Sequence, residues 1–262
     1  KPKHHLPISL EGVDENDFTM IMGYPGGTDR YLSSFGVESA IETYNPTVVS
    51  IREEKLNILN KHMRADRSIN IMYASKKARI SNYWKYYIGQ TRGLKRLNVY
   101  DKKQNLEKRF EEFANSTDSN KENFGSVLSD IKSAHEKLSE TTLSRVYLNE
   151  SAWSGPSFVK LARRSERFVK ALKSGDLEKI SSAKQSFEDI ISDNFKEYDK
   201  SIDKEIFVKM MEMYSVGVPK DQLPRSIDSL SKKYRGDFQK WGDDLYEKSL
   251  FVDAIKMQNL MS

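Results

Sequence analysis

The sequence predicts a mainly α-helical protein, a multi-helix domain with a small β segment at its N-terminus, and two observations support this. Five of the 13 glycines and three of the seven prolines fall in the first 44 residues, and such residues are typical of short strands joined by turns. Beyond Tyr44, apolar residues recur at helical spacing. Phe158, Leu161, Phe168 and Leu172 form the stripe expected of helices packed in a bundle.

The N-terminal segment reads as strands and turns. We predict short strands at Leu6–Leu10, Phe18–Met22 and Tyr31–Phe35, separated by glycine-containing turns. Two or three strands do not form a stable unit alone. Residues 1–44 are therefore predicted to be the edge of a larger β domain. Because the chain begins Lys1-Pro2-Lys3, without a methionine or a signal peptide, we expect it to be a piece of a longer protein.

The helical domain is predicted to span residues 45–262. Asn45-Pro46 is a start signal, an N-cap followed by proline in the first turn. Breaks are expected at Asn115–Asn120, Trp153–Pro156, Gly175 and Gly217–Pro219. The helices between them are predicted at about 45–64, 68–97, 99–114, 122–137, 139–148, 156–174, 176–193, 195–216, 221–234 and 237–260.

The 262 residues carry a formal net charge of +5, and the positive charge is concentrated in one segment. From Arg67 to Tyr100 there are eight Lys or Arg and no acidic residue. One interpretation is a helix whose cations are solvated or pair with an acidic neighbouring domain. The other is a face that binds a polyanion, with nucleic acid as a minor alternative, because aromatic residues are interleaved with the cations.

Several kinds of chemistry find no support in the sequence. No apolar run approaches the roughly 20 residues needed to cross a bilayer, so we expect no membrane association. Cysteine is absent, which excludes thiol catalysis and zinc–thiolate sites. The four histidines, His4, His5, His62 and His135, lack the spacing of metal ligands. Neither GxSxG nor a Walker A sequence occurs. We therefore predict no catalytic residue, no cofactor and no metal in this chain.

Two stretches carry a family resemblance. One is Asp17–Tyr31, DFTMIMGYPGGTDRY, and the other is Ile80–Gly89, ISNYWKYYIG. Together they resemble the S46 family of serine peptidases, the bacterial dipeptidyl-peptidases of the 7 and 11 types, and the resemblance covers the whole chain in order. The sequence departs from the commoner motif forms at Gly27, where arginine or serine is frequent, and at Tyr86, where asparagine is frequent.

The resemblance implies a chymotrypsin-like double β-barrel interrupted by a helical domain that caps the active-site cleft. Such an enzyme releases dipeptides from free peptide N-termini with a Ser-His-Asp triad, whose members are expected outside this chain, leaving the chain alone inactive. Peptides and the enzyme's own catalytic barrel are the implied partners, and the full-length enzyme could be a homodimer. A periplasmic, cell-surface or secreted location in a Gram-negative bacterium is also implied.

Within the second motif, Asn82 shares a helix face with small residues, Ser75, Ala78, Gly89 and Gly93, and with Tyr86. An amide oxygen can accept a hydrogen bond from a charged amine without adding charge. In the family this asparagine helps bind the α-amino group of the substrate, so Asn82 is the predicted substrate-binding residue, with Tyr86 and Trp84 as further candidates. From the residues alone, a surface asparagine without a role stays open.

A second hypothesis belongs to another class of function. The chain could be a non-catalytic helical interaction module whose basic face binds nucleic acid or an acidic protein partner.

Overall fold

The computed structural model describes residues 3–4, 7–20, 23, 27 and 29–261. These residues divide into an N-terminal unit, within residues 1–32, and a helical unit that begins at Ser33. The helices are α1 (Ser34–Ser39), α2 (Asn45–Ala65), α3 (Arg67–Arg96), α4 (Val99–Ala114), α5 (Asp118–Phe124), α6 (Val127–Tyr147), α7 (Ser157–Arg164), α8 (Glu166–Ser174), α9 (Leu177–Lys196), α10 (Lys200–Gly217), α11 (Arg225–Lys233), α12 (Phe238–Lys248) and α13 (Ala254–Met261). The predicted mainly α class is confirmed.

The predicted β segment is not seen in the described part of the N-terminal unit. Residues 7–20 contain a turn at Glu15–Asn16 but no strand. A strand needs a neighbour to complete its hydrogen bonds, and residues 7–20 are exposed with no strand beside them in the part of the chain that the structure describes. The predicted strands at Leu6–Leu10 and Phe18–Met22 lie partly outside the described residues. The strand predicted at Tyr31–Phe35 is wrong, because Ser34 and Phe35 open helix α1.

The helical region begins eleven residues earlier than the Asn45-Pro46 signal predicts. Ser33 is the N-cap, and its Oγ accepts a hydrogen bond from the N–H of Gly36 at 3.3 Å. A π-helical turn, Ala40–Tyr44, then joins α1 to α2 without a break. Pro46 has no N–H to donate, and a wide turn just before it is the kind of irregularity that accommodates proline inside a helix.

Helices α2 and α3 form a long hairpin closed by Asp66. The Asp66 carboxylate accepts hydrogen bonds from the N–H of Ser68 at 2.6 Å and of Ile69 at 3.4 Å, which caps α3. At the far end, the buried Asn45 donates to Gln90 and Thr91, each at 3.0 Å. The hairpin is therefore fixed at both ends.

The core of the helical unit consists of two apolar clusters. The larger includes Ile51 and Leu59 of α2 and Met210 of α10, all fully buried. The smaller joins α7, α9 and α13 through Leu161, Phe187 and Met257. No helix in the described residues is long and apolar enough to cross a membrane.

Candidate substrate-binding surface

Helix α3 presents the predicted site residues to solvent on one face. Asn82 and Tyr86, one turn apart, are both exposed, and Tyr86 has half of its surface accessible. Along the same face, a Cβ added at Gly89 or Gly93 would meet no atom within 4 Å. The face is therefore open along its length, so an extended peptide could approach the helix backbone closely.

Tyr86 is held in place by its neighbours. Its hydroxyl oxygen accepts a hydrogen bond from Gln90 Nε2 at 3.0 Å. Its ring packs edge-on against Tyr87 at 5.1 Å between centroids, and Tyr87 packs in the same way against Tyr44 at 5.6 Å. Because Gln90 is itself bonded to the buried Asn45, the position of Tyr86 depends on the end of the hairpin.

Asn82 itself forms no side-chain hydrogen bond with the described residues, so both its amide oxygen and its amide nitrogen are available to a ligand. Trp84 lies elsewhere. Residues two apart in a helix point about 160° away from each other, and Trp84 is half-buried with its indole nitrogen enclosed and without a partner in the described structure. The structure brings Asn82 and Tyr86 together but does not bring Trp84 to them.

Tyr83 and Arg79 separate this face from a cleft on the adjacent side of α3. Arg52 of α2 lies over the Tyr83 ring, 5.2 Å from its centroid. Arg52 also pairs with Glu150 at 2.8 Å, and both side chains are largely buried. Glu150 belongs to a second π-helical turn, Leu148–Trp153, and such turns are frequent at functional sites.

The cleft consists of two adjoining cavities of about 360 and 300 Å³. Four residues line both, namely Lys76, Arg79, Ser157 and Lys160. The side chains of Lys76, Arg79, Lys160 and Arg164 give the wall of these cavities a positive charge. We call the two cavities and this wall the basic cleft. Sequence reasoning found the cations of α3 but missed those of α7, because only packing brings the two helices together.

Buried polar groups support the wall of the cleft. Lys76 donates a hydrogen bond to Ser157 Oγ at 2.6 Å, and burial lowers its pKa. The N–H groups of Ser157 and Phe158 donate to the carboxylate of Asp203 at 2.5 and 3.3 Å, and Tyr246 Oη donates to it at 2.9 Å. Burial raises the pKa of Asp203, although these hydrogen bonds oppose the rise.

Metal binding finds no candidate in the described part of the chain. No three His, Asp or Glu side chains there stand close enough to hold an ion. His62 bonds to Glu205 at 2.7 Å and His135 to Ser33 at 3.4 Å.

Comparison with known proteins gives three findings. The model of the peptidase S46 family matches residues 1–262. An Asp/Glu-specific dipeptidyl-peptidase of Flavobacterium psychrophilum is 33% identical over 261 residues, and dipeptidyl-peptidase 7 of Porphyromonas gingivalis is 32% identical over 262 residues. Both alignments cover 100% of this chain but 36% and 35% of those proteins, so the chain spans about a third of their length.

The fold is shared with a solved structure. The crystal structure of Porphyromonas endodontalis DPP11 in complex with the dipeptide Arg-Glu superposes with a TM-score of 0.71 at 20% identity, covering 91% of this chain and 34% of that one. This likeness shows that the helical arrangement is common to both.

Proposed function

The chain belongs to the peptidase S46 family, and we propose that it is the helical cap region of a serine dipeptidyl-peptidase that releases dipeptides from free peptide N-termini. In this proposal the region before Ser33 belongs to the catalytic β-barrel, rather than the whole region up to Tyr44, because residues 34–44 are helical. The barrel supplies the Ser-His-Asp triad from outside the chain. The helical residues cover the active-site cleft of the full-length enzyme and help to bind the substrate. A periplasmic, cell-surface or secreted location accompanies the proposal.

Asn82 carries the binding role, with Tyr86 beside it. Its unengaged amide oxygen lies on an open face that contains no acidic residue, so it can accept a hydrogen bond from the substrate's α-ammonium group without a salt bridge competing. A hydrogen bond to a charged group contributes about 1.5–3 kcal/mol. Trp84, half-buried on the other side of α3, is proposed to support the helix rather than touch the peptide.

The experiment compares Asn82→Ala with Asn70→Ala in the full-length enzyme. Asn70 is also exposed on α3, about three turns before Asn82, and serves as the matched control. We expect Asn82→Ala to lower kcat/KM roughly ten- to hundredfold on a peptide with a free N-terminus. Asn70→Ala should leave kcat/KM on the free peptide unchanged. On an N-acylated peptide neither variant should change kcat/KM. An unaltered kcat/KM for Asn82→Ala on the free peptide would remove Asn82 from the site.

A further inference from the structure

The basic cleft holds more positive charge than its own carboxylates neutralise. Two carboxylates line the larger cavity, Asp193 and Glu197. Asp193 pairs with Lys196 at 2.8 Å, and Glu197 lies 3.7 Å from Arg79. Lys160 and Arg164 line the same cavity, and no carboxylate of the described residues forms a salt bridge with either.

Other groups on this wall also lack an anionic partner. Lys76 donates to the neutral hydroxyl of Ser157 and lies over the Tyr73 ring, and it forms no salt bridge with the described carboxylates, although Asp203 and Glu197 attract it. The amide nitrogen of Asn194, another lining residue, is enclosed and has no hydrogen-bond partner among the described residues. Partial desolvation and the nearby Arg164 and Arg79 lower the pKa of Lys160. A bound anion would relieve this repulsion and accept these hydrogen bonds.

We propose that the basic cleft is a binding site for the carboxylate groups of acidic peptides, separate from the contact at Asn82. That the ligand is a peptide rests on the proposed function, whereas its charge follows from the cleft itself. The cavity volume of about 360 Å³ is typical of a site for a small ligand or a few residues.

A nucleic acid fits this cleft less well. Asp193 and Glu197 in the wall would repel a continuous phosphate backbone, and an isolated carboxylate avoids them more easily. Single-stranded nucleic acids also require exposed aromatic rings for stacking. Among the aromatic side chains that the structure describes, Tyr83 alone lines the smaller cavity and none lines the larger.

The test measures binding of two blocked peptides to the full-length protein by calorimetry at low salt. The probes are acetyl-Ala-Glu-Ala-Glu-Ala-amide and its counterpart with glutamine in place of glutamate. Because both are acetylated, neither offers the α-ammonium group for Asn82. We expect the glutamate peptide to bind at least about tenfold more tightly than the glutamine peptide, with the difference shrinking at high salt.

Variants then locate the site. Lys160→Gln and, independently, Arg164→Gln should each weaken binding of the glutamate peptide about tenfold. Lys85→Gln removes the same charge at an exposed position of α3 outside the cleft. This variant should change the affinity for the glutamate peptide less than twofold. Asn82→Ala should leave this binding intact, so failure of the Asn82 role and failure of the cleft give different results.

Three outcomes would overturn the proposal. The first is equal affinity of the protein for the two peptides. The second is an effect of Lys85→Gln on binding of the glutamate peptide as large as that of Lys160→Gln. The third is a single-stranded oligonucleotide that binds more tightly than the glutamate peptide and depends on Lys160, which would assign the cleft to nucleic acid.

Discussion

Lys55 Nζ donates a hydrogen bond to the main-chain oxygen of Ser154 at 2.6 Å, although the lysine side chain is fully enclosed between α2 and the turn before α7. Burial lowers the pKa of Lys55 from its usual 10.5 to about 8, a fall that nearby Glu150 partly opposes. The contact therefore joins α2 to the turn before α7, and it does so by burying a charged group, which is unfavourable.

This arrangement predicts how stability depends on pH. Below pH 8 Lys55 is charged in both the folded and the unfolded chain, so the desolvation penalty is fully present. Between pH 8 and 10.5 the unfolded chain binds the extra proton, so the folded state gains stability as pH rises. The free energy of unfolding of the wild type, minus that of Lys55→Met, should rise by about 3 kcal/mol over this window. Urea titrations at several pH values measure it, and a flat difference would contradict the buried charge.

The carboxylate of Asp203 gives a second prediction, on stability. Asp203→Ala leaves three buried donors without an acceptor, the N–H groups of Ser157 and Phe158 and the hydroxyl of Tyr246. We expect the free energy of unfolding to fall by at least about 3 kcal/mol. Tyr246→Phe removes one of these hydrogen bonds and should cost about 1–2 kcal/mol.

The matched control for Asp203 is Asp237→Ala. Asp237 also caps a helix, accepting from the N–H of Lys240 at 2.8 Å, but it is exposed. Water can replace it, so the loss should be about 1 kcal/mol. Equal losses for the two variants in urea denaturation would show that burial of Asp203 is not what makes its hydrogen bonds important.

Local signals in the sequence predict part of this structure well. Helix α4 has the predicted bounds, and Gly175 ends α8 in the left-handed conformation with φ at 68°, as a glycine there suggests. Helical periodicity also predicts that Asn82 and Tyr86 share a face. The predicted break between 137 and 139 is wrong, since no glycine or proline interrupts α6 there.

Contacts distant in sequence could not be predicted. Lys76 meets Ser157 across 81 residues, and no periodic pattern in either helix indicates that α3 and α7 form one cleft. The start of α1 was missed for a related reason. Ser34 is fixed by Glu107, which accepts from its N–H and its hydroxyl, each at 2.6 Å, and such tertiary contacts can override a local preference for strand.

A third prediction concerns activity of the 262-residue chain by itself. We propose that the triad lies outside it, so the chain should not hydrolyse dipeptidyl reporter substrates, because a nucleophile needs a base within hydrogen-bond reach. Ser33 and His135, 3.4 Å apart, are the pair to exclude, and Ser33→Ala is the control. Turnover by the chain that a serine-directed reagent abolishes would contradict the proposal.

The last prediction separates stability from function on the open face of α3. Gly89 and Gly93 both lie inside the helix with open space where a Cβ would project. Alanine is favoured over glycine in a helix by about 1 kcal/mol, so Gly89→Ala and Gly93→Ala should each raise the melting temperature. If a peptide extends along this face from Asn82, the methyl group at position 89, about 10 Å along the helix, obstructs it more than one at position 93, about 16 Å away. In the full-length enzyme Gly89→Ala should therefore lower kcat/KM several-fold while Gly93→Ala leaves it unchanged. Equal kcat/KM for the two variants, with both proteins stabilised, would mean that the substrate does not approach this part of α3.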